Sequence, residues 1–414
     1  MSFGLYVHLP YCRSICPYCA FATAPLHHAE PERFLAALGR EWAAARRADA
    51  AWGAPSNDAA RPRTLYVGGG TPTALDVPTL RRFLEWLHSS FDLAGLREWT
   101  VEANPEGLTD EKLELLLRAG VGRLSLGVQS MEPGVLKTLG RIHGAEKALE
   151  AIDRIRRAGF TRLSVDLMVA VPGETGVGIA RAVETLLERG VTHLSAYSLQ
   201  VESGTPLAAK VARGALDPPG EDVAADRYAL LDSLLLPRGF RHYEVSNYAL
   251  PGQESKHNVG YWTRRPYLGL GPGAHSFDGT RRWANEHDTR RYLERAEQEG
   301  LPREGVAEAG AGGAAEEEIF LALRRDRGIR LHRLRALVGE GVDVDAWVAW
   351  GVAAGALQSR PPGRVRPTAR GLLTAQELAA ELLARHRARG AQHRVARPAA
   401  PLTPPTPPGS VGAG

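Results

Sequence analysis

Six short runs rich in β-branched and aliphatic residues recur between residue 2 and about 245: GLYVHL, TLYVGG, REWTVEA, GRLSLGVQ, TRLSVDLMVAV and THLSAYSLQV. Each is bounded by Gly or Pro and separated from the next by a helix-length amphipathic segment. Strands that alternate with helices cannot pair as hairpins, so the pattern predicts repeated β-α units and a parallel sheet. Six units suggest an open or closed barrel, in which chemistry gathers where the strands end. Cys12, Gly68 to Thr71, Glu102, Gln129, Asp166 and Gln200 all sit at or just past such an end. The sequence thereby places them on one rim.

All three cysteines of the 414-residue chain lie within eight positions, Cys12, Cys16 and Cys19 in HLPYCRSICPYCAF. An odd number cannot all be paired in disulfides, and three thiols on one loop can converge on an inorganic centre. The spacing Cys-x-x-x-Cys-x-x-Cys suits three irons of a cubane cluster, whose fourth iron is left open for a small chelating molecule. Zinc is the alternative, with His8, His27 or His28 as a fourth ligand, although zinc motifs usually bring two separated pairs.

With 44% hydrophobic residues the chain can bury a large core and a smaller second one. Its 51 basic and 47 acidic residues leave a net charge of only +4, so no nucleic-acid partner is expected from charge alone. The start, MSFGLYVHLPYC, lacks a basic region ahead of a long apolar stretch, and no run reaches the roughly 18 to 20 apolar residues of a span. A cytoplasmic location is the expectation, where reduced thiols suit an oxygen-labile cluster.

The cysteine loop after the first strand, with Tyr18 ahead of the last cysteine, resembles the radical S-adenosylmethionine superfamily. The resemblance implies an α/β fold, a partial (β/α)6 TIM-like barrel with a smaller, mainly helical C-terminal domain. It also implies a 4Fe-4S cluster on Cys12, Cys16 and Cys19, with S-adenosylmethionine on the unique iron. Cosubstrate contacts are then implied for Tyr6, Tyr18, Gly69, Gly70, Thr71, Glu102, Gln129, Arg141 and Asp166. Each of these polar groups would otherwise read as an ordinary rim residue, and the glycine run as a tight turn.

Within the superfamily the chain resembles the coproporphyrinogen dehydrogenase-like branch up to about residue 388. That branch holds an oxygen-independent coproporphyrinogen III oxidase and a heme-chaperone group. Phe21 stands where the oxidase carries a further cysteine, and the chain begins only five residues before Tyr6, where the oxidase has a longer extension. His257-Asn258-Val259-Gly260-Tyr261-Trp262 matches the HNxxYW signature of the chaperones. The resemblance implies heme as a ligand and a heme-acceptor protein as partner, membrane-associated acceptors included, with the chain a monomer or homodimer. A neutral imidazole is a suitable axial ligand, and Tyr261 and Trp262 offer flat faces to a porphyrin. The same residues would equally serve to tie down a loop, with Trp262 filling the core.

The expected organisation is a barrel over 1–245, a connecting region with the HNxxYW motif over 246–308, a C-terminal domain of winged-helix character over 309–388 and a disordered Pro-rich tail over 389–414. The AGAGGAAEEE stretch near 309–318 reads as flexible, and His275, among glycines, as a buried turn residue. Arg324, Arg325, Arg327, Arg330, Arg333 and Arg335 form a basic run that reads as solvated helix surface.

Overall fold

The computed structural model of the chain describes residues 2–48, 52, 61–308, 311–339, 341–360 and 363–390. Six parallel strands form its centre: β1 (Gly4–Leu9), β2 (Thr64–Gly69), β3 (Glu98–Ala103), β4 (Arg123–Gln129), β5 (Arg162–Val169) and β6 (His193–Ser198). The helices between them are α1 (Pro31–Ala48), α2 (Val77–Ser90), α3 (Asp110–Ala119), α4 (Ala145–Arg157) and α5 (Gly176–Glu188); α6 (Glu221–Leu235) follows β6. Asp76 caps α2 and Thr109 caps α3 by accepting a bond from the third backbone N–H beyond.

The strands have two unlike faces. Leu5, Val7, Val101, Leu124, Leu126, Leu163, Val165 and Leu194 point outward into one core with the helices. Tyr6, His8, Tyr66, Glu102, Ser125, Asp166 and Ser195 alternate with them and therefore line the inside. A parallel sheet covered by helices on one side thus carries its polar residues on the other, which is a lumen rather than a second apolar core.

The barrel is open. After β7 (Arg241–Glu244) and β8 (Asn247–Ala249) the chain forms α7 (Lys256–Trp262) and then β9 (Tyr267–Leu270), which pairs parallel with β1. Next come β10 (His275–Phe277), β11 (Arg281–Asn285), α8 (Thr289–Gln298) and β12 (Arg303–Glu308). The twelve strands run in the order β12-β11-β10-β9-β1-β2-β3-β4-β5-β6-β8-β7, so the two ends of the sheet do not pair with each other, and β7 is met instead by Arg324 to Asp326. His275 opens β10 with its side chain exposed, not in the buried turn its glycine neighbours suggest.

The C-terminal part has its own core of Ile319, Leu323, Ile329, Leu334, Trp347, Leu357, Val365 and Leu382. It comprises α9 (Ala311–Leu323), β13 (Ile329–Arg330), α10 (Leu331–Val338), α11 (Val344–Ala353), β14 (Leu357–Arg360), β15 (Arg364–Pro367) and α12 (Ala375–Gly390). The stretch expected to be flexible is helical from residue 311, because alanine and glutamate favour helix and Glu317 is pinned by Arg264 and Arg282. The Pro-rich tail lies outside the described residues from 391 onward; 389 and 390 close α12.

A buried ion pair fastens the amino-terminal end of the barrel. Arg123, 1% exposed, donates through Nη2 to Glu98 at 3.2 Å and to the Gln253 carbonyl at 2.8 Å. Glu98 in turn accepts from the His257 backbone N–H at 3.0 Å and from the Ser255 hydroxyl. Burial alone would raise the Glu98 carboxyl, but Arg123 and those donors hold it below the usual range. Arg123→Ala strands a buried carboxylate and is expected to lower stability by about 3 to 5 kcal/mol in urea unfolding. Replacing Glu98 as well, as Arg123→Met with Glu98→Gln, is expected to recover part of that loss.

Candidate metal and cofactor centre

The cysteine loop leaves β1 at the carboxyl rim, and the exit of β2 is packed directly beneath it. Gly70 N–H donates to the Leu9 carbonyl at 2.7 Å, and Thr71 N–H to that of Tyr11 at 2.9 Å. A side chain at Gly70 would stand 2.6 Å from the Pro10 backbone, and one at Gly69, where φ is +102°, would strike the His8 ring at 2.3 Å. Only glycine permits that approach. The loop itself turns on a Cys19 N–H to Cys16 carbonyl bond of 3.1 Å, and Tyr11–Cys12 pairs with Ala24–Pro25 at its base.

All three thiols are free and half-buried. Burial pushes the Cys12 thiol up to about 12, and Cys19 and Cys16 add to the rise. Cys19 is likewise raised, first by burial and then by Cys16. Thiols that resist ionisation alone, as Cys12 and Cys19 do, become good ligands where a multiply charged cation compensates them. Among the described residues no three His, Cys, Asp or Glu side chains are grouped to hold one metal ion. Three thiols spread along one loop fit a cluster, where each meets a different iron. Of the histidines weighed for zinc, His27 and His28 are exposed, and His8 uses one ring nitrogen for Tyr6 at 3.0 Å and the other for the Ala22 carbonyl at 2.8 Å.

One polar chain connects two of the cysteines across three strand ends. Cys12 Sγ lies 3.6 Å from Thr71 Oγ1, which accepts from Asn104 Nδ2 at 2.8 Å. Asn104 Oδ1 accepts from Arg141 Nη2 at 2.5 Å, and Arg141 Nη1 donates to Cys16 Sγ at 3.3 Å. Arg141 also donates to the Gly127 carbonyl, and Glu106 stands beside it, bonded to His143 at 3.0 Å. The sequence singled out Thr71 and Arg141 but not Asn104, Glu106 or His143. Asn104 precedes Pro105, a pair that reads as a turn, and only the fold reveals its two partners.

Deeper in the lumen Glu102 accepts from Tyr66 at 2.7 Å and from Gly69 N–H at 3.0 Å. Burial lifts its carboxyl to about 7, and Asp166 adds to the rise. Asp166 accepts from Ser125 at 3.1 Å and is lifted to about 6, again by burial. Gln129 ends β4 at φ +66°, where the ladder to β5 is irregular, with its amide folded over Gly127. Backbone strain of this kind persists only where the surrounding structure enforces it. Tyr6 donates to His8, and Tyr18 packs with Val135, Leu139 and Met168 beside the loop. Gln200 bonds Ser198 at the same rim.

The HNxxYW residues stand at the other end of the strands. His257 Nδ1 meets Thr64 Oγ1 at 2.9 Å, its Nε2 meets the Tyr261 hydroxyl at 2.8 Å, and its ring lies 5.3 Å from that of Tyr66. It is 2% exposed, and burial lowers it to about 4, so the ring is neutral and both nitrogens are engaged. Tyr261 packs on Tyr267 and Phe277. Asn258 and Trp262 are also buried, but Asn258 Oδ1 and Trp262 Nε1 have no hydrogen-bond partner. The structure thus gathers Cys12 to Asp166 at one rim and separates His257 to Trp262 from them.

The radical SAM superfamily model matches residues 6–186. Over 384 residues, 92% of this chain and 95% of the relative, the sequence is 39% identical to a heme chaperone HemW of Mycobacterium tuberculosis. A heme chaperone HemW of Bacillus subtilis is 34% identical over 339 residues, 82% of this chain and 87% of that one. Among solved structures, coproporphyrinogen III oxidase (HemN) from Escherichia coli, a radical SAM enzyme, matches with a TM-score of 0.77 at 20% identity, covering 92% of this chain and 89% of that one. That last likeness is one of fold.

Two outcomes follow from the geometry. Asn104→Ala removes the link between Thr71 and Arg141 without touching a thiol. The variant is expected to lose iron to a chelator several-fold faster than the wild type, read from the decay of its visible absorbance, with unchanged far-ultraviolet circular dichroism. The second concerns pH. Glu102 and Asp166 have folded-state values raised above their unfolded ones, so the folded chain binds protons more tightly. Their contribution is fully present below about pH 4 and is lost as pH rises through about 6 to 7. Asp166→Asn is expected to flatten the decline in urea stability over that window by on the order of 2 kcal/mol.

Proposed function

As the chain belongs to the radical SAM superfamily and, within it, to the HemW heme-chaperone family, we propose that it binds heme and passes it to an acceptor protein. The observation that carries this reading is the 39% identity maintained over 92% of the chain and 95% of a heme chaperone. The superfamily implies a 4Fe-4S cluster and S-adenosylmethionine. We assign the cluster to Cys12, Cys16 and Cys19, and the cosubstrate to the lumen side of the same rim. When bound, the cluster supplies an electron donor with one open iron.

The chain's own groups divide the remaining tasks. Arg141 suits the carboxylate of an anionic, amine-bearing tail, because a guanidinium favours a carboxylate; the Gly69 to Thr71 N–H groups are spent on Glu102, Leu9 and Tyr11, so that stretch serves by the closeness of its backbone. Glu102 and Asp166 offer acceptors to ribose hydroxyls or an amine, and Gln129 is poised over Gly127. Tyr6 fixes His8 beneath the loop. We read the barrel over 1–245 as the cluster unit, and the connecting region over 246–308 together with the C-terminal domain over 309–388 as the heme unit. The acceptor is a separate protein. His257 is committed to Thr64 and Tyr261, so its use as an iron ligand requires the ring to leave both.

The deciding experiment is an anaerobic hemin titration of the cluster-reconstituted chain, followed through the Soret band. A one-to-one complex, and transfer of that heme to an acceptor apoprotein, is the expected result. Absence of the complex with the cluster intact, or multiple-turnover conversion of coproporphyrinogen III to protoporphyrinogen with reductant and cosubstrate, would overturn the reading.

A further inference from the structure

The six arginines that run together in the sequence do not share one surface. Arg324 is buried over the Phe320 ring at 3.6 Å, Arg333 is paired with Glu318 at 2.6 Å and Arg335 with Asp345 at 2.8 Å. The other three, Arg325, Arg327 and Arg330, are joined instead by Arg364 and Arg366 from β15, and by Arg265, which follows α7. Val365 and Pro367 point into the domain core, so Arg364 and Arg366 face out. Arg330 and Arg364 are directly opposite in the ladder. Like charges opposite one another destabilise a sheet.

No ordinary counter-charge explains the cluster. Among the described residues, none of the six has a carboxylate within salt-bridge distance, and the acids nearby are bonded elsewhere: Asp326 to Arg241, Glu317 to Arg264 and Arg282, and Glu244, whose charge does reach Arg325, to Asn247 and the Ser246 N–H. Arg364 spends Nη1 on the Arg327 carbonyl at 2.7 Å, which holds two of the group in place. Arg325 is pushed below the usual guanidinium range, first by burial and further by Arg327 and Arg265, with Asp326 and Glu244 opposing. Arg364 is pushed down by burial and then by Arg330, Arg366 and Arg327.

The cluster also adjoins the amino-terminal end of the barrel. Arg325 bridges Glu244 of β7, and Asp326 N–H donates to the Tyr243 carbonyl, while the Tyr243 hydroxyl accepts from Ser255 N–H at the start of α7. On α7, Asn258 and Trp262 are four residues apart and share a face. Both carry a buried polar atom without a partner, and Arg265 N–H closes the helix end on the Gly260 carbonyl. A buried polar atom without a protein partner is completed by a water, an ion or a ligand, and Trp52 and Trp99 elsewhere in the fold carry such atoms too. Those of Asn258 and Trp262 lie on the same short segment that ends in the arginine cluster.

We propose that Arg265, Arg325, Arg327, Arg330, Arg364 and Arg366 form an anion subsite that takes the two propionate carboxylates of heme, with the porphyrin directed toward the Asn258 and Trp262 face of α7. This rests on the heme-chaperone reading and deepens it. A guanidinium grips a carboxylate through two parallel hydrogen bonds, and a dianionic ligand relieves the mutual repulsion of the group. Nucleic acid fits the surface less well, since among the described residues no array of exposed aromatic side chains accompanies the arginines for base stacking.

The test compares hemin with hemin dimethyl ester, whose propionates are masked, on the full chain with its cluster reconstituted. Wild type is expected to bind hemin at least tenfold more tightly than the ester. Arg265→Glu with Arg327→Glu, both at exposed positions, is expected to lower hemin affinity at least tenfold and to leave ester affinity within twofold. Arg265→Lys with Arg327→Lys is expected to retain most of the hemin affinity. Iron content and thermal midpoint verify that the variants are folded. Equal affinity of wild type for the two ligands, or a Glu variant that keeps hemin or loses both ligands alike, would overturn the subsite and leave heme binding itself standing. Failure of wild type to bind either ligand removes the subsite and the chaperone reading together. Salt-sensitive binding of phosphatidylglycerol vesicles or of polyuridylate that the Glu variant abolishes, with hemin binding unaffected, would assign the arginines to a polyanion and overturn the subsite.

Discussion

The inward and outward faces of six parallel strands are the constraint from which the rest of this structure follows. Leucine and valine on the outer face bind the helices, and that fixes Tyr66, Glu102, Ser125 and Asp166 inside, away from bulk water. In that setting every polar group needs a partner, so Tyr66 serves Glu102 and Ser125 serves Asp166. The same desolvation raises both carboxyls toward neutrality and makes their protonation responsive to whatever enters the lumen. A barrel whose interior were apolar would have no such property.

The two ends of those strands do different work. At the carboxyl rim the backbone is brought unusually close, through Gly69 and Gly70, so that three strand exits crowd under one cysteine loop. A run of hydrogen bonds through Thr71, Asn104 and Arg141 then gives the loop a defined shape before any metal arrives. At the amino-terminal end the Glu98–Arg123 pair pins the segment before α7, and His257 and Tyr261 close the floor. A buried pair of this kind confers position more than net stability, since its desolvation offsets much of the attraction. The C-terminal domain is joined at that same end, where Glu317 holds Arg264 and Arg282. The cysteine loop and the arginine surface are thereby kept toward opposite ends of one lumen.

Much of this was legible from residues alone. Apolar, β-branched runs bounded by Gly and Pro located all six core strands, and strand-end logic placed Gln129 on the rim with the cysteines, whereas Asp166 lies within β5 and, with Glu102, deeper in the lumen. Local sequence was a poor guide where long-range contact decides. Alanine and glycine near 311 read as flexible, yet helix α9 forms because its glutamates meet Arg264, Arg282 and Arg333. Asn104 was not singled out, because its partners are 33 and 37 positions away. The basic run from 324 to 335 looked uniform, yet burial and ion pairs remove Arg324, Arg333 and Arg335 from the surface that β15 completes.

The sequence by itself determined the fold class and the placing of three thiols on one loop after the first strand, because strand composition and residue spacing are local and survive without knowledge of packing. Only the tertiary structure decided which end of the barrel receives HNVGYW, which side chains bridge the cysteines and which arginines are left without counter-charges. Those outcomes depend on strand register and on the crossing of segments far apart in the chain. Register is set by the burial of the whole sheet, and no short stretch of residues contains it.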